Sequence, residues 1–276
     1  MTGRTTHTTA PARGVADPVL AAVLDWWIAH ARPLPWRATR DVYAVWVSEV
    51  MSAQTTVGRA AEAWVRWMER WPSVEALAAA SLADVLRQWQ GLGYPRRARD
   101  LHRSARIVAS SGWPEDLRAL PGVGPYVAAA VACFAREEPV LPMDVNVRRV
   151  LRRRFDGHVE ISGDPWRAGQ ALMEFGQRVC TARPRCDACP VRAGCAGPET
   201  DAPAGRGRRQ AQFEGSLRQR RGRLLRRVLA EGAVPVDAGE AQIAAGLAAD
   251  GLAVLECGWL RAPGDEEAVR GLSRSA

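Results

Sequence analysis

Apolar residues recur at helical spacing from DPVLAAVLDWWIAHA at 17–31 through to Cys195, and nowhere in that stretch do apolar and polar positions alternate as they do along a half-buried strand. The pattern predicts an all-α main domain. Trp64, Trp67 and Trp71 fall at i, i+3 and i+7, one face of a helix, and read as core. SLADVL at 81–86 has the Ser-x-x-Asp form of a capping box, and Gly91-Leu92-Gly93 ends that helix with residues that tolerate positive φ. Periodicity is lost over 197–212, GPETDAPAGRGRRQAQ, which reads as a solvated linker. Beyond it SLRQRRGRLLRRVLAEG predicts a basic amphipathic helix, followed by EAQIAAGLAADGL and a short apolar run, AVLECGWL, that fits a strand. This order predicts a small winged-helix-like module over 213–263, a polar arm over 1–14 and a tail over 264–276.

Composition changes this picture in three ways. With 276 residues and 47% hydrophobic content the chain buries a substantial core. The longest apolar run, VAAAVACFA at 127–135, is too short to cross a bilayer, and no leader-like apolar segment opens the chain, so the expectation is a cytoplasmic protein. The net charge of +8 favours a polyanionic partner, and all 38 basic residues are arginine, since the chain contains no lysine.

Six cysteines stand at 180, 186, 189, 195, 133 and 257, and the first four lie in a C-x5-C-x2-C-x5-C arrangement. Clustered thiols in a reducing compartment favour metal binding over a disulfide framework. Four thiolates suit a 4Fe-4S cluster or a tetrahedral zinc, and the single C-x2-C knuckle favours the cluster. Cys133 and Cys257 read as core thiols. Arg183, Arg185 and Arg192, set between the cysteines, offer cations to a phosphate backbone.

LPGVGPYVAAAVACFA places Gly122 and Gly124 in a tight turn that opens a helix, where backbone N–H groups point outward toward an anion. The same turn reads equally as an ordinary glycine-capped helix junction. Two acids stand out. Asp144, in LPMDVNVRRVLRRRF, sits at the foot of a basic helix, where it reads as an N-cap and also as a fixed anion. Glu49 lies among Val47, Val50 and Met51, a drier setting that keeps a carboxyl protonated longer. Two acids in environments of opposite character supply one site with a proton donor and an anion.

Taken together, RPLPWR at 32–37, WVSEVM, QWQGLGYPRRARDLH, LPGVG, MDVNVRRVL and the cysteines resemble the helix-hairpin-helix DNA glycosylases that carry an iron-sulfur cluster, and among them the MutY-like adenine glycosylases. The resemblance covers about residues 18–196. It implies a glycosylase core over 15–196, with a cluster domain formed by about 15–35 and 139–196 and a six-helix barrel over about 36–138. It also implies removal of adenine mispaired with 8-oxoguanine or guanine, after the nucleotide is flipped out of double-stranded DNA, by a monomer associated with the nucleoid. By resemblance Glu49 protonates the purine and helps activate water, while Asp144 stabilises the oxocarbenium-like sugar. Arg32, Trp36, Arg37, Gln170 and Met173 match residues lining the adenine pocket. Gln54, Thr55, Leu92 and Tyr94 match those that wedge the duplex, and Gly122, Gly124 and Asn146 join the DNA-binding set. Cys180, Cys186, Cys189 and Cys195 are the implied cluster ligands, and the hairpin is a candidate monovalent-cation site.

Tyr126 stands where relatives that also cut the strand carry a Schiff-base lysine, so the resemblance implies a monofunctional enzyme. The chain departs from the family in a first cysteine spacer of five residues instead of six, in Ala53 for a usual glutamine and in Val145 for a usual glycine. Residues 213–276 are too short for the nudix-like domain of longer members. A thymine glycosylase for T/G mismatches and a non-catalytic iron-sulfur DNA sensor remain the alternatives.

Overall fold

A computed structural model describes residues 17–200 and 212–264. The predicted arm at 1–14 lies outside these residues, as do most of the linker and most of the tail. The helices are α1 Pro18–His30, α2 Val42–Ser52, α3 Val57–Arg70, α4 Val74–Ala79, α5 Leu82–Gln88, α6 Arg96–Ser111, α7 Pro125–Phe134, α8 Val145–Arg154, α9 Pro165–Arg178, α10 Leu217–Glu231 and α11 Ala241–Ala249. The strands are β1 Ala233–Pro235, β2 Val254–Glu256 and β3 Trp259–Arg261. No helix among the described residues is long and apolar enough to cross a membrane. The chain divides into two compact units, one of residues 1–46 and 124–205, the other of 47–123 and 206–276.

In the first unit α9 is the central element, packed by α1, α7 and α8. Almost every side of its middle is buried, from Trp166 and Ala171 to Leu172 and Phe175. Gly176 permits the approach of α8, because a Cβ there would meet the Asn146 carbonyl oxygen at 2.8 Å. α1 begins at Asp17, whose Oδ1 accepts the N–H groups of Val19 and Leu20, and its first position is Pro18, whose missing donor costs nothing there. Cys133 is fully buried, as expected of a core thiol.

In the second unit α4 and α5 pack on α6. Two of the three tryptophans of the predicted face are core, and Trp64 is only partly buried: Trp67 is fully buried and meets Trp71 and Trp89 edge-on at centroid distances of 4.7 and 5.6 Å. Such pairs add about 0.5–1.5 kcal/mol beyond the area they bury. Ser81 caps α5 by accepting the Asp84 N–H at 3.0 Å, and its hydroxyl donates to Asp84 Oδ2. That contact replaces the reciprocal bond from the acid to the Ser81 N–H that a full capping box makes.

The C-terminal module has the order α10, β1, α11, β2, β3, with an antiparallel sheet arranged β1-β3-β2. AVLECGWL forms two strands where the pattern suggested one. Cys257 and Gly258, at φ 49° and 78°, turn the chain between them as a two-residue hairpin loop with both central residues left-handed. Cys257 is consequently exposed at the turn and is no core thiol. The module packs on α5 and α6 through arginine contacts: Arg87 Nε donates to the Leu229 carbonyl at 2.7 Å, and Asp250 pairs with Arg96 and Arg221.

Candidate functional site

Glu49 lies inside α2, 7% exposed, between Ser48 and Met51, which are each 1% exposed. Just beyond α2, Gln54 adopts a left-handed φ of 57° and is exposed. Thr55 Oγ1 donates to the carbonyls of Ala53 and Leu92, both at 3.3 Å. Arg97 fastens this loop from the other side, donating to the carbonyls of Val50 and Ala53 on one hand and of Leu92 and Gly93 on the other. One guanidinium thus couples the end of the Glu49 helix to the glycine loop, a role the sequence did not single out because Arg97 reads there as one of several basic residues. Of the other two expected wedge residues, Tyr94 stands out at 46% exposure with φ 49°, whereas Leu92 is 4% exposed and presents its backbone rather than its side chain. Gly122 has φ 75°, and a Cβ there would sit 2.9 Å from Asp100 Cβ, so the turn demands glycine on both counts.

In the first unit Gly124 is the N-cap of α7 without a side-chain cap, leaving backbone donors at that helix start for a ligand. Tyr126, at the following turn, donates its hydroxyl to Met173 Sδ at 3.9 Å. Asp144 is the N-cap of α8: its Oδ1 accepts the N–H groups of Asn146 at 2.8 Å and Val147 at 2.7 Å. Its second oxygen accepts from Asn146 Nδ2 at 2.6 Å. Asn146 Oδ1 accepts from Arg149 Nη2 at 2.7 Å, and Arg149 Nε donates to the Cys180 carbonyl at 2.7 Å. Two side chains therefore connect Asp144 to the backbone of the first clustered cysteine. Arg149 was hidden in the sequence within the run RRVLRRR.

Arg32 and Arg37, two of the expected pocket residues, are joined by one acid, Glu174, and Gln170 is linked to that acid through Arg37. Glu174 is 1% exposed. It accepts from Arg32 Nε and Arg37 Nη2, both at 2.7 Å, from Arg178 Nη1 at 3.2 Å and from Trp27 Nε1 at 3.2 Å. Burial by itself pushes the Glu174 carboxyl up, but Arg37 and Arg32 more than reverse this and hold it below its ordinary value. Arg37 Nε donates to Gln170 Oε1 at 2.9 Å. Trp36, in the 3-10 turn Pro35–Ala38, is 8% exposed, and Gln170 is 7% exposed.

Cys180, Cys186, Cys189 and Cys195 all line one cavity of about 240 Å³. Arg153, 2% exposed, points its Nη1 at Cys180 Sγ over 3.4 Å. Burial pushes the Cys180 thiol above its ordinary value against the pull of Arg153. Among the described residues no three His, Cys, Asp or Glu side chains are grouped closely enough for a single metal ion.

Residues 47–160 match the HhH-GPD superfamily of base excision DNA repair proteins. An adenine DNA glycosylase of Mycolicibacterium smegmatis is 41% identical over 239 residues, which span 78% of this chain and 81% of that protein. The chain belongs to the adenine DNA glycosylase family. Its helical architecture is shared more widely: a thermostable thymine-DNA glycosylase superposes with TM-score 0.60 at 25% identity, covering 66% of this chain and 95% of the other. A DNA-trapped endonuclease III superposes at 0.54 and 23% identity, covering 66% and 94%.

In this member of the adenine DNA glycosylase family Val145 is 73% exposed, so its side chain displaces nothing in the core. Ala53 is exposed and contributes its carbonyl to Arg97.

Proposed function

We propose that this chain excises adenine mispaired with 8-oxoguanine or guanine, hydrolysing the N-glycosidic bond of a flipped-out nucleotide and leaving an abasic site. The observation that carries the reading is the buried Glu49 on α2, in a chain 41% identical to an adenine DNA glycosylase. Glu49 donates its proton to a ring nitrogen of adenine, and the electrons of the glycosidic bond leave with the base. Asp144, with one oxygen fixed by two backbone N–H groups, offsets the positive charge that grows on the sugar. Water then adds to the sugar carbon and its proton passes to Glu49, which restores the acid. Tyr126 occupies the hairpin position, and a chain without lysine has no lysine nucleophile for strand cleavage.

The partner is duplex DNA, contacted through the Gly122–Gly124 turn, which also suits a monovalent cation, and through the exposed Arg183, Arg185 and Arg192. The protein acts on it as a monomer, in the nucleoid-containing cytoplasm. Cys180, Cys186, Cys189 and Cys195 hold a 4Fe-4S cluster. Four thiols spread around a cavity fit a cluster better than a single ion, which draws its sulfurs to about 2.3 Å. Held by these four thiolates, such a cluster would tie together the loops that carry Arg183, Arg185 and Arg192. Protein purified without oxygen should be brown, absorbing near ~400 nm, with about four irons per chain; a colourless protein with one zinc would refute this assignment.

A panel of duplexes carrying A opposite 8-oxoguanine, A opposite G and T opposite G tests the activity. Alkali-labile sites should arise in the first two. Cleavage confined to the T/G duplex would favour thymine excision, the activity named for the superposed thermostable enzyme.

A further inference from the structure

We propose that Glu174 is the positioning residue that sets which edge of Gln170 meets the substrate base, acting through Arg37. The proposal rests on the reading of Gln170 as an adenine-pocket residue and adds what orients it. A glutamine amide has two faces of nearly equal size and opposite polarity, and it rotates unless one of them is paired. Gln170 Oε1 accepts from Arg37 Nε at 2.9 Å. Arginine offers only donors, so the flipped amide would set N–H against N–H.

Arg37 cannot yield to such a flip, because its other nitrogens are taken. Nη2 donates to Glu174 Oε2 at 2.7 Å and Nη1 to the Arg32 carbonyl at 2.7 Å. Glu174 is fixed in turn by Trp27 Nε1, by the Arg32 backbone and side chain and by Arg178, all within 3.2 Å. Gln170 makes no other side-chain hydrogen bond among the described residues, so its amide N–H groups are what remains for a ligand. A donor in that position requires an acceptor on the base, such as a purine ring nitrogen, and a freely rotating amide would not impose that requirement. Trp27, Arg32, Arg37 and Glu174 come from two separate stretches of chain, and the buried carboxylate is the atom pair on which they converge.

The test is a double-mutant cycle in the full chain, read by single-turnover excision from an A/8-oxoguanine duplex, with DNA affinity and Tm measured for each variant. Gln170→Ala and Glu174→Gln should each slow excision about tenfold, the equivalent of ~1.4 kcal/mol in the barrier. Their DNA Kd should stay within about twofold of wild type, since a group that orients the reacting base acts on the chemical step. The double variant should be no slower than Gln170→Ala alone, because once the amide is gone there is nothing left to orient. Losses that multiply to about a hundredfold would mean that Glu174 acts elsewhere, and would overturn the proposal. Should Glu174→Gln not fold, Arg37→Lys replaces it in the cycle: lysine keeps a cation for Glu174 but cannot span to Gln170, and the same non-additivity is expected. A wild-type chain inactive on this duplex sinks the adenine reading itself, whereas an active wild type with additive variants sinks only the role of Glu174.

Discussion

Glu49→Gln should lower the excision rate by at least about a thousandfold, within the range of a general acid acting on a poor leaving group, while DNA binding persists. The substitution keeps the shape of a side chain that is 7% exposed in the interior of α2, so the neighbours Ser48, Val50 and Met51 need not move. What changes is the supply of a transferable proton. An amide still hydrogen-bonds to a base, but it cannot protonate one, and an unprotonated purine leaves slowly because negative charge builds on its ring. The loss should therefore fall on the single-turnover rate. Affinity for a mismatched duplex, which draws on phosphate contacts spread over the basic surface, should change by less than about threefold, and Tm by no more than a few degrees. A variant whose excision stays within about tenfold of wild type would remove Glu49 from the acid role.

The helical core was legible because its signals are local. The Trp67 face, the Ser81 cap and the Asp144 cap each need only a few consecutive residues to be read, and each is found where the pattern puts it. The three strands were less legible for a reason of length: each has three residues, too few to alternate, and β2 is exposed along its whole extent. Cys257 misled because an apolar neighbourhood in sequence, Leu255 to Leu260, conceals a turn that carries the thiol to the surface.

The candidate site divides along the same line. Acids and cysteines announce themselves by type, whereas the residues that hold them depend on contacts between distant segments. Glu174 lies four residues from both Gln170 and Arg178 and reads as an ordinary solvated acid on a helix. Its burial becomes affordable only through Arg32, 142 positions away, and Arg37, 137 positions away. Arg149 and Arg97 are likewise indistinguishable in sequence from the other arginines near them until their carbonyl partners are known.

Asp144→Asn should abolish excision to a similar degree, but asparagine here removes a charge and also disturbs a network, and the two effects can be separated. As a helix cap asparagine equals aspartate, so the bonds from the Asn146 and Val147 backbone survive. The second oxygen is the difficulty: it accepts from Asn146 Nδ2, and an amide nitrogen in its place faces another donor. Asn146 cannot simply rotate, since its Oδ1 is held by Arg149, which in turn holds the Cys180 carbonyl. The single variant should therefore lose about 1 kcal/mol of stability along with its activity. The exchange Asp144→Asn with Asn146→Asp restores every pairing: the new amide donates to the new carboxylate, which still accepts from Arg149. Only the position of the negative charge has changed, by one side chain. Tm of the exchanged protein should return to within a few degrees of wild type, while its single-turnover rate stays depressed by about a hundredfold or more, as expected when a fixed anion no longer faces the developing cation. Recovery of excision in the exchanged protein would mean that Asp144 serves the fold of α8 and the cysteine loop rather than the chemistry.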